Sequence, residues 1–497
     1  MLRPDPRPTV HSRLSGALAV LALLALPPGA PGRASSGVPA AARPAAAPAD
    51  AIARSAAGAG AAGPLLILST SDVKGKSSPC GCHTPKGGLA RRAAFADSLR
   101  ATNPNLLVVD TGGFFPEEAG YEAAAAFMLD AMKSLGVDAA GLGESDLRFG
   151  RGFLMSGIAR TKLPVTCANL LDAATGRPLV APYLLRAAGR AKVGFFGLLS
   201  PAADLGPSRD SLRVSDPLEV AERTVAALRA RGATVIVLLS ELGKIESEEV
   251  ANVIEGIDVV IAGRRMPLFA SGRRIGRSLV VYGGEQSHYV GLARLALDAA
   301  GRAASGDAAT HVLGPDVAEQ PAMLASVRAF ETGFNEELKR REAQEALRAV
   351  AGESADDDEP RDHFVGAEVC ARCHRSEYEQ WRTTPHARAW ATLVEQHAEA
   401  RTDCVPCHVV GYRKPGGFQG TGDAPRLVNV QCENCHGMGT GHDATRTGAK
   451  LTEATCRQCH DDTSSPAFSF TVFQPHIVHR RPSLLPPLPP KPKTAMH

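Results

Sequence analysis

Four short segments near the end of this 497-residue chain carry the residues with the clearest chemistry. Each segment has two cysteines separated by two residues, with a histidine directly after the second. The four sets are Cys370, Cys373 and His374; Cys404, Cys407 and His408; Cys432, Cys435 and His436; and Cys456, Cys459 and His460. Two thiols at this spacing can form thioethers to the vinyl groups of one haem, and the adjacent imidazole can ligate its iron. The spacing therefore predicts four covalently attached c-type haems.

Two other interpretations of paired cysteines remain open, namely zinc sites and disulfides. Zinc sites do not need a histidine directly after every second cysteine, yet all four segments have one. This regularity favours haem.

Further histidines are candidates for the sixth iron ligands. The candidates are His363, His386, His442 and His479, with His397 and His476 in reserve. Two imidazoles on an iron favour electron transfer, whereas an open position favours the binding of a small molecule. Any of the candidates could instead be a surface histidine, and one haem would be five-coordinate if His363 does not ligate.

The region 366–479 resembles the tetrahaem cytochromes c that carry electrons away from hydroxylamine oxidation, and related domains in cytochromes of metal-reducing bacteria. Beyond the four segments, the resemblance rests on Trp381, His386 and Ala389, on the run 430–437 with His442, and on Phe468 and His479. It implies closely stacked haems that pass electrons from iron to iron. It also implies other redox proteins or cytochromes as partners.

The middle of the chain alternates short apolar runs with segments of helical periodicity. The runs are 65–68, 106–109, 193–196, 235–239 and 259–261, and the helical segments include 121–135, 217–230 and 320–351. Continuous apolar runs suit strands that are covered on both faces. The predicted fold class is an α/β sandwich domain followed by a mostly α and irregular haem domain.

Residues 65–298 resemble the metallophosphatase domain of periplasmic 5′-nucleotidases and UDP-sugar hydrolases. The matching segments are 71–75, 87–91, 109–113, 141–146, 168–170 and 257–263. The family holds two metal ions with aspartate, asparagine and histidine ligands, which clamp phosphate and activate water.

Asp72 keeps its place in that pattern, but most of the expected ligands are replaced. The replacements are Lys74, Gly113, Glu144, Ser145, Glu241, Arg264, Arg265 and Met266. The resemblance therefore implies the phosphatase scaffold without its metal site.

Cys80 and Cys82 follow the first predicted strand, with His83 directly after them. Nearby lysines could lower the pKa of a thiol, which suits a redox-active dithiol or a thiolate site. An ordinary structural disulfide is the alternative. The domain also resembles a group of cytochrome-linked, nucleotidase-like proteins described as possible selenoproteins, which favours redox chemistry. Cys167 is predicted to be a buried apolar residue.

Composition and segment boundaries complete the prediction. The net charge is +3 with mixed signs, which suggests no nucleic-acid partner. The predicted segments are a signal peptide at 1–34, an Ala/Pro-rich linker at 35–63, the metallophosphatase-like domain at 64–315, a helical connector and acidic hinge at 316–360, the tetrahaem domain at 361–481 and a Pro-rich tail at 482–497. The protein is predicted to be periplasmic or exported, with membrane contact only if the signal segment stays as an anchor.

The leading hypothesis is an exported electron-transfer protein in which the middle domain docks partners or carries a Cys80–Cys82 redox site. One alternative is a metal-dependent phosphoesterase fused to a cytochrome. Another is a haem-based reductase of a small nitrogen compound or oxyanion. A middle domain that only binds a ligand is the last possibility.

Overall fold

The computed structural model describes residues 63–80, 85–352, 363–421, 425–440, 451–461, 464–465 and 467–479. The predicted signal peptide, nearly all of the linker, the acidic run and the Pro-rich tail lie outside these ranges, as do Cys82, His83 and His442. Within the ranges, each helix is too short or too polar to cross a bilayer.

Thirteen strands are formed in the described residues before 313. They are β1 Leu65–Thr70, β2 Leu106–Asp110, β3 Ala139–Ala140, β4 Leu170–Asp172, β5 Leu184–Ala188, β6 Ala191–Leu199, β7 Leu212–Val214, β8 Val235–Glu241, β9 Val259–Ala262, β10 Arg273–Ile275, β11 Ser278–Tyr282, β12 Tyr289–Leu297 and β13 Ala303–Val312.

Helices alternate with these strands and continue beyond them. They are α1 Leu89–Thr102, α2 Glu122–Ser134, α3 Gly150–Thr161, α4 Pro217–Ala230, α5 Lys244–Val253, α6 Pro321–Gly352, α7 Ala367–Cys370, α8 Arg375–Arg382, α9 Ala389–Glu395, α10 Cys432–His436, α11 Glu453–Arg457 and α12 Phe470–Phe473.

Two main sheets build the first domain. One has the strand order β13-β12-β1-β2-β3, and the other has the order β10-β11-β9-β8-β6-β5. Strand β1 pairs in parallel with β2 and antiparallel with β12, whereas β6, β8, β9 and β11 are mutually parallel. Because parallel strands end at the same edge, the loops that follow β1, β2, β8 and β9 can meet there.

The domain has four layers, with each sheet covered by helices on its outer face. Ile67, Val109, Val237 and Ile261 are fully buried in the cluster between the two sheets. Leu68 and Val108 face the other way, toward α1 and α2, while Leu238 and Val260 face α4 and α5. Burial on both faces explains why these strands are continuous apolar runs. The α/β sandwich prediction is confirmed.

The long helix α6, which lies within the predicted helical connector, packs against the first domain. Phe330 stacks on Phe127 of α2 with ring centres 4.1 Å apart, and it also stacks on Phe334 at 5.3 Å. Phe334 in turn meets the edge of Tyr121 at 4.9 Å. This row of rings fixes α6 against the first domain.

The described part of the region after 362 consists of short helices joined by irregular segments, as the sequence predicts. A small apolar cluster that includes Phe364, Leu393, Val409 and Phe418 is buried there. It lies around the second Cys-x-x-Cys-His segment, since Val405 and Val410 belong to it.

Candidate functional site

The four cysteine–histidine segments meet in two pairs. The side chains of Cys370 and Cys432 lie close enough to interact, which brings the first and third segments together. The side chains of Cys407 and Cys459 do the same for the second and fourth segments. The cysteines that the sequence predicts as attachment points therefore lie close together within each pair of segments.

Two pairs of histidine rings lie at the spacing expected for ligands on opposite sides of one iron. The ring centres of His386 and His460 are 6.1 Å apart, and those of His436 and His479 are 6.2 Å apart. A metal–imidazole bond is about 2 Å long and a ring centre lies about 1 Å beyond its nitrogen, so two opposed ligands have centres about 6 Å apart. The residues present therefore fit an iron in each gap.

Burial keeps several of these imidazoles neutral and able to ligate. Desolvation, with a smaller contribution from nearby His460, lowers the pKa of His386 to about 4. Burial also lowers the pKa of His408, against an opposing hydrogen bond from its ring to Ala389. That bond, from Nδ1 to the carbonyl oxygen at 2.6 Å, leaves Nε2 as the nitrogen that can bind a metal.

Two polar side chains inside the third segment have structural roles that its cysteine and histidine spacing does not predict. Glu433 is buried and accepts hydrogen bonds from the backbone N–H groups of Val365, Gly366 and Gly439 at 2.7–3.2 Å. Asn434 donates to the Val409 carbonyl at 2.8 Å. These side chains tie two distant stretches, at 365–366 and at 409, to the third segment. A buried acid inside a haem segment is the sequence signal that could have revealed this.

Trp381 and His386, both named in the resemblance, hydrogen-bond to the backbone of the same residue, Val430. The Trp381 indole N–H donates to the Val430 carbonyl at 2.8 Å, and the Val430 N–H donates to the His386 carbonyl at 3.2 Å. His386 is thereby fixed close to the segment that contains Cys432. His363 is placed elsewhere, with its backbone N–H donating to Thr440 Oγ1 at 2.8 Å.

The edge of the first domain where the resemblance expects metal ligands is crossed by ion pairs. Glu144 accepts from Arg264 at 3.2 Å and from Arg265 at 3.1 Å. Lys74 pairs with Glu117 at 3.3 Å. Within the described ranges, His, Cys, Asp and Glu side chains nowhere form a group of three or more that could hold a metal ion.

Asp72, the retained aspartate, is engaged by the backbone. Its Oδ2 accepts from the Arg264 N–H at 2.8 Å. Asp72, Lys74, Arg264 and Arg265 all have positive φ, between 46° and 67°. Such strained positions collect at functional sites, and here the strained loops present lysine and arginine side chains where ligands are expected.

Buried carboxyl groups lie beneath this edge. Burial, partly offset by hydrogen bonds from the Gly143, Gly113 and Phe115 N–H groups, raises the pKa of Asp146 to about 7. Burial and the nearby Asp72 charge raise the pKa of Glu241 well above its usual value. Glu241 accepts from Thr111 Oγ1 at 2.6 Å. The site is therefore built to hold neutral carboxyl groups as well as ion pairs.

This burial gives a testable pH dependence of stability. The folded-state pKa of Glu241 exceeds its unfolded value, so its contribution is fully favourable below about pH 4 and is lost as the pH rises through the folded pKa. We expect Glu241→Gln to raise the free energy of unfolding at pH 8 by on the order of 1–2 kcal/mol, with a smaller gain at pH 5. Urea unfolding at both pH values measures this.

The control for this prediction is Glu249→Gln, which changes an exposed glutamate on the neighbouring helix α5. It should follow the wild-type stability at both pH values. The assigned pKa direction would be contradicted if the gain in unfolding free energy of Glu241→Gln over wild type were smaller at pH 8 than at pH 5.

Cys80 lies where the two domains meet, in a short bridge whose backbone pairs with Lys86 at 2.8 Å in both directions. Its partner in the predicted dithiol, Cys82, is outside the described residues. Cys167 is fully buried, as predicted, and its thiol donates to Asn169 Oδ1 at 3.6 Å.

Comparisons with known proteins match the two parts of the chain separately. The family model described as cytochrome c554 and c-prime matches residues 369–437. Cytochrome c-554 of Nitrosomonas europaea is 34% identical over 105 residues, which cover 18% of this chain and 43% of that protein. The C-terminal region thus matches the cytochrome c554 family.

The N-terminal region matches the 5′-nucleotidase and metallophosphoesterase family. The trifunctional nucleotide phosphoesterase protein YfkN of Bacillus subtilis is 27% identical over 252 residues, which cover 43% of this chain and 17% of that protein. The 5′-nucleotidase precursor of Thermus thermophilus is a structural neighbour with a TM-score of 0.48 and 25% identity, covering 55% of this chain and 59% of that one. The chain spans less than half the length of each of these two curated relatives.

Proposed function

We propose that this protein is an exported or periplasmic multihaem cytochrome that transfers electrons through four covalently attached haems. The observation that carries the proposal is the 6.1–6.2 Å spacing of two histidine pairs, each formed by one segment histidine and one predicted distal histidine. The match of residues 369–437 to a cytochrome family supports it independently. When bound, each haem supplies an iron that takes up and releases one electron.

Different residues of the chain would attach the haems and ligate their irons. The cysteines of each segment form the thioethers, and the segment histidines ligate the irons. We assign His386 opposite His460 and His479 opposite His436. His442 and His363 remain the candidates for the other two irons. The contacts Cys370–Cys432 and Cys407–Cys459 would bring the haems together in two pairs.

The mature protein's intact mass and metal content test the proposal directly. We expect the mass of the polypeptide plus four haems, four iron atoms per chain, and a haem absorption spectrum that changes on reduction with dithionite. A colourless protein, or one that carries zinc in place of iron, would overturn the proposal.

We further propose that the first domain has lost phosphatase chemistry and serves to dock a redox partner or the haem domain itself. The supporting observation is that Glu144 and Arg264, at two positions where the resemblance expects metal ligands, bind each other at 3.2 Å. The Arg264 guanidinium repels a metal cation at this place. It also occupies the Glu144 carboxylate, which leaves few oxygen or nitrogen atoms to bind a metal.

The corresponding assay is phosphate release from AMP and from p-nitrophenyl phosphate, with Mn²⁺ or Zn²⁺ added. We expect rates at the level of the metal-only control. Metal-dependent release that saturates with substrate would favour a phosphoesterase joined to a cytochrome.

The second candidate function adds redox chemistry at Cys80 and Cys82. The observation in its favour is that Lys76, four residues before Cys80, bonds Asp403, which directly precedes Cys404 of the haem domain. Ser78 bonds Glu331 of α6, which lies 3.8 Å from Arg401 of the haem domain. Oxidation of the two thiols would form one disulfide bond and release two protons, and the two electrons would reduce two ferric haems. Electrons would flow in the opposite direction to reduce the disulfide.

Thiol labelling coupled to haem reduction tests this second candidate. The oxidised protein should take up no alkylating reagent at Cys80 or Cys82, whereas the fully reduced protein should take up two equivalents. In the Cys80→Ser variant the haems should still be reduced by dithionite, but one thiol should stay labelled in both states. Labelling that is identical in oxidised and reduced wild-type protein would exclude a redox role for these cysteines.

A further inference from the structure

Four charged side chains form a cluster where the first domain and α6 meet the haem domain. Lys76 bonds Asp403 at 2.5 Å, and Arg401 bonds Asp403 through two nitrogens at 3.1 and 3.0 Å. Arg401 also lies 3.8 Å from Glu331 of α6, which accepts from Ser77 and Ser78 at 2.6 Å each. We call Lys76, Glu331, Arg401 and Asp403 the interdomain charge cluster.

The cluster is held away from solvent. The exposed fraction of each of its four side chains is between 12% and 17%. Burial alone would raise the pKa of Asp403, but Arg401 and Lys76 outweigh it and hold this pKa well below its usual range. Lys76, Arg401 and Asp403 are therefore charged at neutral pH, and salt screens these buried groups only weakly.

The cluster adjoins one haem attachment site. Asp403 directly precedes Cys404, the first cysteine of the second segment, and Arg401 is three residues before it. Tyr121 of the first domain reinforces the contact, because Tyr121 Oη accepts from the Thr402 N–H at 3.1 Å. The charges of the cluster thus lie beside the haem that Cys404 and Cys407 would hold.

The cluster balances two positive against two negative charges. A buried charge near an iron changes its reduction potential, because ferric haem carries one more positive charge than ferrous haem. Removing Lys76 leaves a net negative charge, which favours ferric iron. Removing the Asp403 charge leaves a net positive charge, which favours ferrous iron.

We propose that Lys76 and Asp403 set the reduction potential of the haem attached at Cys404 and Cys407 with opposite signs, so that the first domain tunes one haem of its neighbour. The proposal rests on the proposed function, since it requires that haem to be present. Lys76 would act on the iron through its charge and would not bind the iron. The degenerate domain then has a direct electrostatic effect on the electron carrier.

Redox titrations of the full-length, haem-loaded protein, followed by visible absorption, test the proposal. In Lys76→Met, one of the haem transitions should move to lower potential, with the ferrous-to-ferric ratio of that haem falling roughly ten-fold at a fixed solution potential. In Asp403→Asn, one transition should move to higher potential. The double variant should return close to wild type, and Lys76→Arg should leave the potentials unchanged.

Lys339→Met is the matched control. Lys339 of α6 also contacts the haem domain, 2.5 Å from the buried Glu399, but that partner is not next to an attachment cysteine. The Lys339→Met variant should weaken the contact between α6 and the haem domain without changing any haem reduction potential. Shifts of the same sign in Lys76→Met and Asp403→Asn, no shift in either, or an equal shift in Lys339→Met would overturn the proposal.

The haem count separates this proposal from the proposed function. Each variant is first checked by intact mass for the same number of haems as wild type. Missing haems in the wild-type protein would contradict the function as a whole. A full set of haems with unchanged potentials in the variants would contradict only the tuning role.

Discussion

Substituting His386 by alanine is expected to remove the sixth ligand from one haem and convert its iron from low spin to high spin. The expectation follows from the 6.1 Å spacing between His386 and His460, the histidine of the fourth segment. Desolvation lowers the pKa of His386 to about 4, so a neutral imidazole is available at physiological pH. About a quarter of the haem in the ferric protein should show high-spin absorption and a high-spin electron paramagnetic resonance signal, if four haems are bound.

His397→Ala is the control for this experiment, because His397 is exposed and belongs to neither close histidine pair. It should leave the spectra unchanged. Added imidazole should restore the low-spin spectrum in His386→Ala by entering the opened position. His386→Leu, which keeps a side chain of similar bulk that cannot ligate iron, guards against a variant that fails to fold. Low-spin spectra in both His386 variants would show that His386 is not an iron ligand.

The strands of the first domain could be predicted because burial on both faces leaves a local signal. The run at 235–239 lies inside β8, and the run at 259–261 lies inside β9. The antiparallel pair β12 and β13 went unpredicted. β13 is rich in alanine and is mostly half-buried or exposed, so its strand conformation depends on pairing with β12 rather than on its own composition.

The four Cys-x-x-Cys-His segments are evident from the sequence, but their pairing is not. Cysteine and histidine spacing is a local property, whereas the contacts Cys370–Cys432 and Cys407–Cys459 join segments far apart in the chain. The same limit applies between domains. Lys76 and Asp403 are 327 residues apart, and neither has a neighbouring pattern that points to the other. They are brought together by the packing of α6 against both domains and by direct contacts such as that between Tyr121 and Thr402.

Substituting either residue of the buried pair Arg92 and Asp110 is expected to lower the free energy of unfolding more than any other single substitution in the first domain. Arg92 and Asp110 are 1% and 0% exposed, and their side chains lie 3.3 Å apart. Burial lowers the pKa of Arg92 and raises that of Asp110, and each partner opposes the shift of the other. Removing one partner leaves a buried charge without compensation.

Asp110 has further bonds that a substitution must respect. It accepts from the Gly112 N–H at 3.0 Å and from the Thr70 hydroxyl. Among the described residues, Arg92 Nε and Nη2 have no hydrogen-bond partner, so the guanidinium depends on Asp110 for its stabilisation. Asparagine at position 110 can keep the bond to Gly112 while it removes the charge.

We therefore expect Asp110→Asn and Arg92→Met each to lower the free energy of unfolding by about 3–5 kcal/mol, measured by urea unfolding followed by circular dichroism. The double variant should lose clearly less than the sum of the two, because neither charge is then left alone. Asp130→Asn is the matched control, since its pair with Arg160 is about half exposed on both sides and should cost at most about 1 kcal/mol. Equal costs for Asp110→Asn and Asp130→Asn would show that burial of the Arg92–Asp110 pair does not control its contribution.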